Sequence, residues 1–350
     1  MNVLFTNSDQ RRVWQAGALL VCLALLMACE KPPTTTPADA GGRAVSLNFS
    51  AGVIPNASTR AVPILGDKFP SGNYKIGLWV CSGGQTAAMT GYNNILADVT
   101  VLAATETERN YEWKYTFEGG TAHEGLSVKE GNPVTIYAYH PWKAGVTDIT
   151  AVPFTSSQDD WMWATPQSFT AAQTNAAHLD VPLAFTHAMT CIQVNVKCKY
   201  DGNVRLVSMT LTDKQNRLVP SGTMNALTGE LTAGPRGPIT LTLNALLNAQ
   251  SQSFCIIMPE VKTPDLPAYV SNDFTLSFKF QNTSDQQIVD GRVAFDIPDQ
   301  IRQGETQTTI TEFTRGTRYI YSLELENMMY FAPVEMDDTW ILKPETDIDL

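Results

Sequence analysis

Hydrophobic and polar residues alternate along most of this chain with a period of two. Phe274, Leu276, Phe278 and Phe280 are apolar at every second position, with Thr275, Ser277 and Lys279 between them. In an extended strand that spacing places the apolar set on one face and the polar set on the other. The same alternation marks Ser46 to Ala51, Tyr74 to Cys81, Trp113 to Phe117, Val134 to Tyr139 and Cys191 to Cys198. It returns in Leu206 to Thr212, Ile239 to Leu243, Phe254 to Met258 and Arg318 to Leu325. Turn-forming clusters such as Ser82-Gly83-Gly84, Asp201-Gly202 and Leu227-Thr228-Gly229-Glu230 separate the runs. Apolar residues at helical spacing are scarce; Leu243 to Ala249 is the nearest such stretch, and it is short. The pattern predicts an all-β, antiparallel fold built of β-sandwiches.

Between 155 and 182 the alternation loosens into Ser, Gln, Asp, Thr, Asn and Ala around Pro166 and Pro182, and it resumes at Leu183. A boundary near 180 divides the chain into an N-terminal domain over 45–180 and a C-terminal domain over 181–350, both of ordinary sandwich size. Composition agrees with this: 43% of the 350 residues are hydrophobic, enough for sizeable cores, and only 17% are charged. Low charge with frequent Thr suits a β protein outside the cytoplasm. The net charge of −11 is dispersed, with no basic block to displace counterions from phosphate, so no nucleic-acid partner is expected.

The N-terminus changes the picture most. Arg11 and Arg12 precede an apolar run from Val13 to Ala28 that is too short for a bilayer span of about 20 residues. Residues 1–28 therefore read as a signal peptide. The ending Leu26-Met27-Ala28-Cys29 resembles a bacterial lipobox, which implies that Cys29 is diacylated and becomes the first mature residue. Glu30-Lys31-Pro32-Pro33-Thr34-Thr35-Thr36-Pro37 cannot form helix or sheet, and residues 29–44 make an extended, lipid-anchored tether. Glu30 in place of Asp implies sorting to the outer membrane. Four cysteines then remain: Cys81, Cys191, Cys198 and Cys255. Cys191 and Cys198 are seven apart in one strand-like run, on opposite faces, and cannot bridge within it. No short spacing suggests a staple, so buried free thiols are expected, while any pairing of Cys81 or Cys255 stays open.

Catalytic motifs are missing. There is no Gly-x-Ser-x-Gly, no Gly-rich phosphate loop and no His-Glu-x-x-His, so we expect no enzyme, no catalytic residue, no metal and no cofactor. His187 and Cys191 share strand parity, but four residues of strand span about 13 Å, too far for one zinc. His123-Glu124 sits between glycines as a solvated pair. Asp159-Asp160 beside Trp161-Met162-Trp163 has the residue types of a sugar site, yet adjacent carboxylates on a strand point opposite ways and cannot flank one bond. Trp161 and Trp163 are expected on one buried face. Asp347 and Asp349 share a face, and two ligands do not make a calcium site.

One segment invites processing. Pro55-Asn56-Ala57-Ser58-Thr59-Arg60-Ala61-Val62-Pro63 follows the first strand with small residues and a single Arg between prolines, which on the residues alone reads as a plain linker first and as a shape open to an Arg-specific protease at Arg60-Ala61 second. Arg43-Ala44, just before that strand, is the alternative. These features, in order with Lys75 to Val80, Val134 to Pro141, Asp160 to Ala164 and Leu183 to Thr190, resemble the fimbrillin family, the lipoprotein precursors of type V pili. The resemblance runs over about residues 29–230. It implies two transthyretin-like β-sandwich domains and a structural subunit of an adhesive cell-surface fimbria. In that family a surface protease cuts after an Arg, the first strand leaves, and a strand from the next subunit fills the gap. Carried over, Cys29 is the lipid site, Arg60 the cleavage residue, Ser46–Ala51 part of the released strand and Met328–Leu350 the donor. Expected partners are other fimbrial subunits, the outer membrane, the protease, and a host or glycan ligand. Pro344 interrupts the donor. The alternatives are a monomeric outer-membrane glycan-binding lipoprotein, or an uncleaved anchor or tip subunit of the same pilus.

Overall fold

The structure, a computed structural model, describes residues 44–53, 67–69, 72–102, 111–117, 122–123, 125–170, 178–199, 204–261, 273–282, 289–298, 300–303, 306–325, 329–331 and 334–337. The first half contains β1 (Ala44–Val53), β2 (Asp67–Lys68), β3 (Gly72–Ser82), β4 (Ile95–Val101), β5 (Tyr111–Thr116), β6 (Ala122–His123), β7 (Leu126–Lys129), β8 (Pro133–His140), β9 (Val152–Thr155), β10 (Met162–Thr170) and β11 (His178–His187). The second half contains β12 (Thr190–Cys198), β13 (Val204–Asp213), β14 (Ser221–Asn225), β15 (Glu230–Ala233), β16 (Ile239–Leu246), β17 (Gln252–Met258) and β18 (Phe274–Asn282). It continues with β19 (Val289–Asp296), β20 (Gln300–Gln303), β21 (Thr306–Thr309), β22 (Arg318–Leu325), β23 (Met329–Phe331) and β24 (Val334–Asp337). Among the described residues the only helical element is a 3-10 turn at Ile149–Ala151. The fold is all-β.

The alternating pattern becomes burial. Phe274, Leu276, Phe278 and Phe280 of β18 are 1%, 0%, 1% and 7% exposed, all facing one core. Where a strand is buried on both faces the alternation disappears, as it does along Ile76–Cys81 of β3 and Val134–His140 of β8.

In the first half one sheet runs β2-β1-β11-β10-β8-β3-β4-β5-β6, with β7 also paired to β1. Only two residues separate β6, at one end of this path, from β7, which lies beside β1 near the other end. The sheet therefore wraps almost fully round a core of Val45, Leu47, Phe69, Ile76, Leu78, Ile95, Val99, Leu126, Ile136, Val181, Leu183 and Phe185. In the second half, a sheet ordered β17-β12-β22-β24-β20-β21 and another ordered β16-β13-β18-β19 share a second core that includes Ile192, Val194, Leu211, Leu241, Ile256, Phe278 and Tyr321. A three-stranded sheet, β15-β14-β9, joins the halves over a third core of Trp79, Tyr139, Phe154, Trp161, Met189, Cys191 and Met224.

Antiparallel pairs dominate, and three parallel pairs add to them: β1 with β11, β12 with β22, and β20 with β24. Each half thus begins with a strand that runs parallel to a late strand of the same half. The segment 155–182, which the sequence suggested was strand-poor, contains all of β10 and the start of β11, in the middle of the first sheet. Its alternation is weak because only Met162 and Ala164 of β10 are buried, and the register shifts between Ala164 and Gln167 around Pro166. The expected boundary at 180 falls within β11, whose Val181, Leu183 and Phe185 pack into the first core.

Candidate functional site

The site is β1 and the slot that holds it. Strict alternation turns Val45, Leu47, Phe49 and Ala51 inward, each 7% exposed or less, and leaves Ala44, Ser46, Asn48 and Ser50 facing out. On one side β1 runs parallel to β11, from Ser46 opposite His178 to Val53 opposite Phe185. On the other, Ala44–Leu47 pair with β7 from Lys129 to Leu126, and Gly52 and Val53 pair with Lys68 and Asp67 of β2.

The wall of the slot is most specific at Phe49. Its ring centroid lies 5.5 Å from that of Trp113 and 6.1 Å from that of Tyr115, both on β5, and the Trp113 and Tyr115 rings stack at 17°. Burial pushes the Tyr115 hydroxyl far above its ordinary pKa, so this wall stays neutral. The sequence showed Trp113 and Tyr115 on one face. That this face meets Phe49 follows only from the wrapping of the sheet. Outside, Asn48 Nδ2 donates to Asp180 Oδ1 at 3.4 Å across the β1–β11 seam, and His178 Nε2 lies 3.9 Å from the same oxygen.

Of the residues expected at the site, Ala44 is the first of β1 and is exposed. Cys29, Arg43, Arg60 and Ala61 lie outside the described residues. Of Met328–Leu350, only β23 and β24 are described. β23 pairs with Leu323–Leu325 of β22 and β24 with Arg318–Ile320 of the same strand. Both pair antiparallel with β22, their registers differing by one residue, and β24 also pairs with β20. This part of the expected donor is built into the chain's own second sheet.

The remaining candidates come to structural ends. His187 closes β11 and Cys191 lies in β12, so the shared strand assumed for them does not exist. His187 Nδ1 sits 2.8 and 3.1 Å from the two oxygens of Asp160, with both side chains buried. Trp161 is fully buried and Trp163 half-buried against the third core, while Met162 points into the first. Cys81, Cys191 and Cys198 are buried free thiols and Cys255 is a partly exposed one. Cys191 faces the third core and Cys198 the second, as opposite strand faces require. No cluster of metal ligands occurs among the described residues. His123 lies in β6; Glu124, Asp347 and Asp349 are outside the described residues.

A family model described as fimbrillin-like matches residues 59–339. A candidate cell adhesion protein from Bacteroides fragilis NCTC 9343 shares the fold, with a TM-score of 0.52 at 11% identity over 86% of this chain and 99% of that one. One from Bacteroides uniformis ATCC 8492 aligns with a TM-score of 0.48 at 15% identity, over 85% of this chain and 99% of that one. Another, from Bacteroides ovatus ATCC 8483, gives 0.47 at 17% identity, over 87% and 99%. No curated protein sequence matches.

Proposed function

This chain belongs to the fimbrillin-like family, and from that premise we propose that it is a structural subunit of an adhesive cell-surface fimbria, assembled by strand exchange. In this reading the two larger cores are two transthyretin-like sandwiches, and the chain has no catalytic residue or cofactor. The seating of β1 carries the proposal. A strand with four inward side chains, held on both flanks, leaves two kinds of debt when it departs: an apolar groove, and bare backbone groups along β11, β7 and β2. Another strand satisfies both. Reburying the equivalents of Val45, Leu47 and Phe49 contributes on the order of 5–9 kcal/mol before ordering costs. Head-to-tail donation does not close on itself and grows a filament.

The precursor is anchored in the outer membrane through diacylated Cys29, and an Arg-specific surface protease cuts after Arg60. A cut at Arg43 would leave β1 in place, because the strand begins at Ala44. Donation by residues after Asp337 would leave β23 and β24 undisturbed in their sheet. In that stretch Trp340, Leu342, Pro344, Thr346, Ile348 and Leu350 alternate with Ile341, Lys343, Glu345, Asp347 and Asp349. Pro344 fits if its missing N–H falls at a position that makes no ladder bond.

Limited trypsin digestion of residues 30–350 tests the reading. It should cut first after Arg60, free the β1 peptide and yield SDS-resistant ladders, while Arg60→Ala should keep β1 and stay monomeric. Cut products that remain monomeric at high concentration favour a monomeric glycan-binding lipoprotein instead. Surface protein that retains lipidated Cys29 marks an uncleaved anchor.

A further inference from the structure

We propose that the recess beside Trp79, on the face of β3 turned away from the first core, binds a neutral saccharide. The recess measures about 400 Å³, within the range of small-ligand sites. Its floor is apolar and fixed: Trp79 and Ile149 are 4% and 3% exposed. Its rim is polar and open to solvent. The side chains of Thr86, Asn93 and Thr147 line it and make no hydrogen bond to other described residues. Asp148, also in the lining, commits one oxygen, Oδ1, to the backbone N–H and hydroxyl of Thr150 at 2.8 and 2.7 Å, which leaves Oδ2 as a second acceptor. Those two bonds lower the Asp148 pKa, so the group is an anionic acceptor at neutral pH. Trp79 Nε1 is buried without an acceptor.

The rim is held before any ligand arrives. Asp148 caps the 3-10 turn, Ile149 O accepts from Ala226 N at 3.0 Å, and Cys81 bridges to Ala88 behind Thr86. No Lys or Arg lines the recess, which disfavours phosphate and carboxylate ligands. An amide, hydroxyls and one carboxylate oxygen beside the methyl groups of Ala87 and Ala88 match the alternating O–H and C–H surfaces of a pyranose ring. This site is distinct from Asp159-Asp160 and does not depend on strand exchange.

The test uses residues 30–350 and four probes: methyl β-D-glucopyranoside, methyl β-D-galactopyranoside, N-acetylglucosamine and, as the anionic control, glucuronic acid. The readout is the indole N–H resonance of Trp79, assigned by its loss in Trp79→Phe. At least one neutral sugar should shift that resonance saturably, and glucuronic acid should bind more weakly. Asn93→Ala and Thr147→Val, at unchanged melting temperature, should each weaken binding about tenfold, the loss of one good hydrogen bond. If no neutral sugar shifts the resonance, or if both variants bind like the parent, the proposal is wrong.

Discussion

Gly77 faces Tyr139 across the β3–β8 ladder, and a Cβ on Gly77 would stand 2.2 Å from Tyr139 Cε1. The tyrosine cannot swing aside, because its hydroxyl donates to Asn94 Oδ1 at 2.6 Å and accepts from Lys143 N at 3.3 Å. Gly77→Ala should therefore cost about 1–3 kcal/mol through overpacking, read as a lower urea midpoint. Asp213 shows the electrostatic counterpart. Burial alone would raise its pKa, but hydrogen bonds from Arg217 Nε and Nη2, both at 2.9 Å, and from the backbone of Arg217 and Gln215 outweigh it, so the net shift is downward. A carboxylate with a depressed folded pKa stabilises the fold above its unfolded pKa of about 3.9, and that stability is lost as pH falls through the folded value. The stability lost in Asp213→Asn should accordingly be large at neutral pH and shrink in strongly acidic buffer, as urea titrations at the two pH values would show.

Among the elements, β1 concentrates the consequences. Phe49→Ala removes the ring that meets Trp113 and Tyr115 and should destabilise the uncut protein by about 3 kcal/mol, with faster amide exchange along β1. Ser50→Ala, facing out, should change neither. The alternation of Val45, Leu47, Phe49 and Ala51 made this strand legible in the sequence, as it did β18. β10 escaped because Pro166 and a register shift break its period and half-exposed positions blur it. Strand polarity escaped for a different reason. A period of two is the same whether β1 runs parallel or antiparallel to β11, so only the tertiary path decides. The aromatic wall was half legible: Trp113 and Tyr115 were visible as one face, but their meeting with a residue more than sixty positions earlier depends on the sheet's closure.

For the whole molecule, the third core decides how the halves behave. Phe154 and Met224, both nearly fully buried, come from opposite halves and meet through the β9–β14 ladder, where Gly222 leaves room for the Phe154 ring. Arg315 ties the same junction by donating to the carbonyls of His187 and Gly229 at 3.2 and 3.1 Å. Calorimetry of residues 30–350 should show one unfolding transition, and Met224→Ala should separate it into two. The other large-scale property is the nearly closed wall of the first half. A fabric woven until it meets itself offers no loose thread to catch on its neighbours. On the proposed strand-exchange reading, a seated β1 keeps that half of a freshly made molecule from snagging on others until that one ribbon is drawn out.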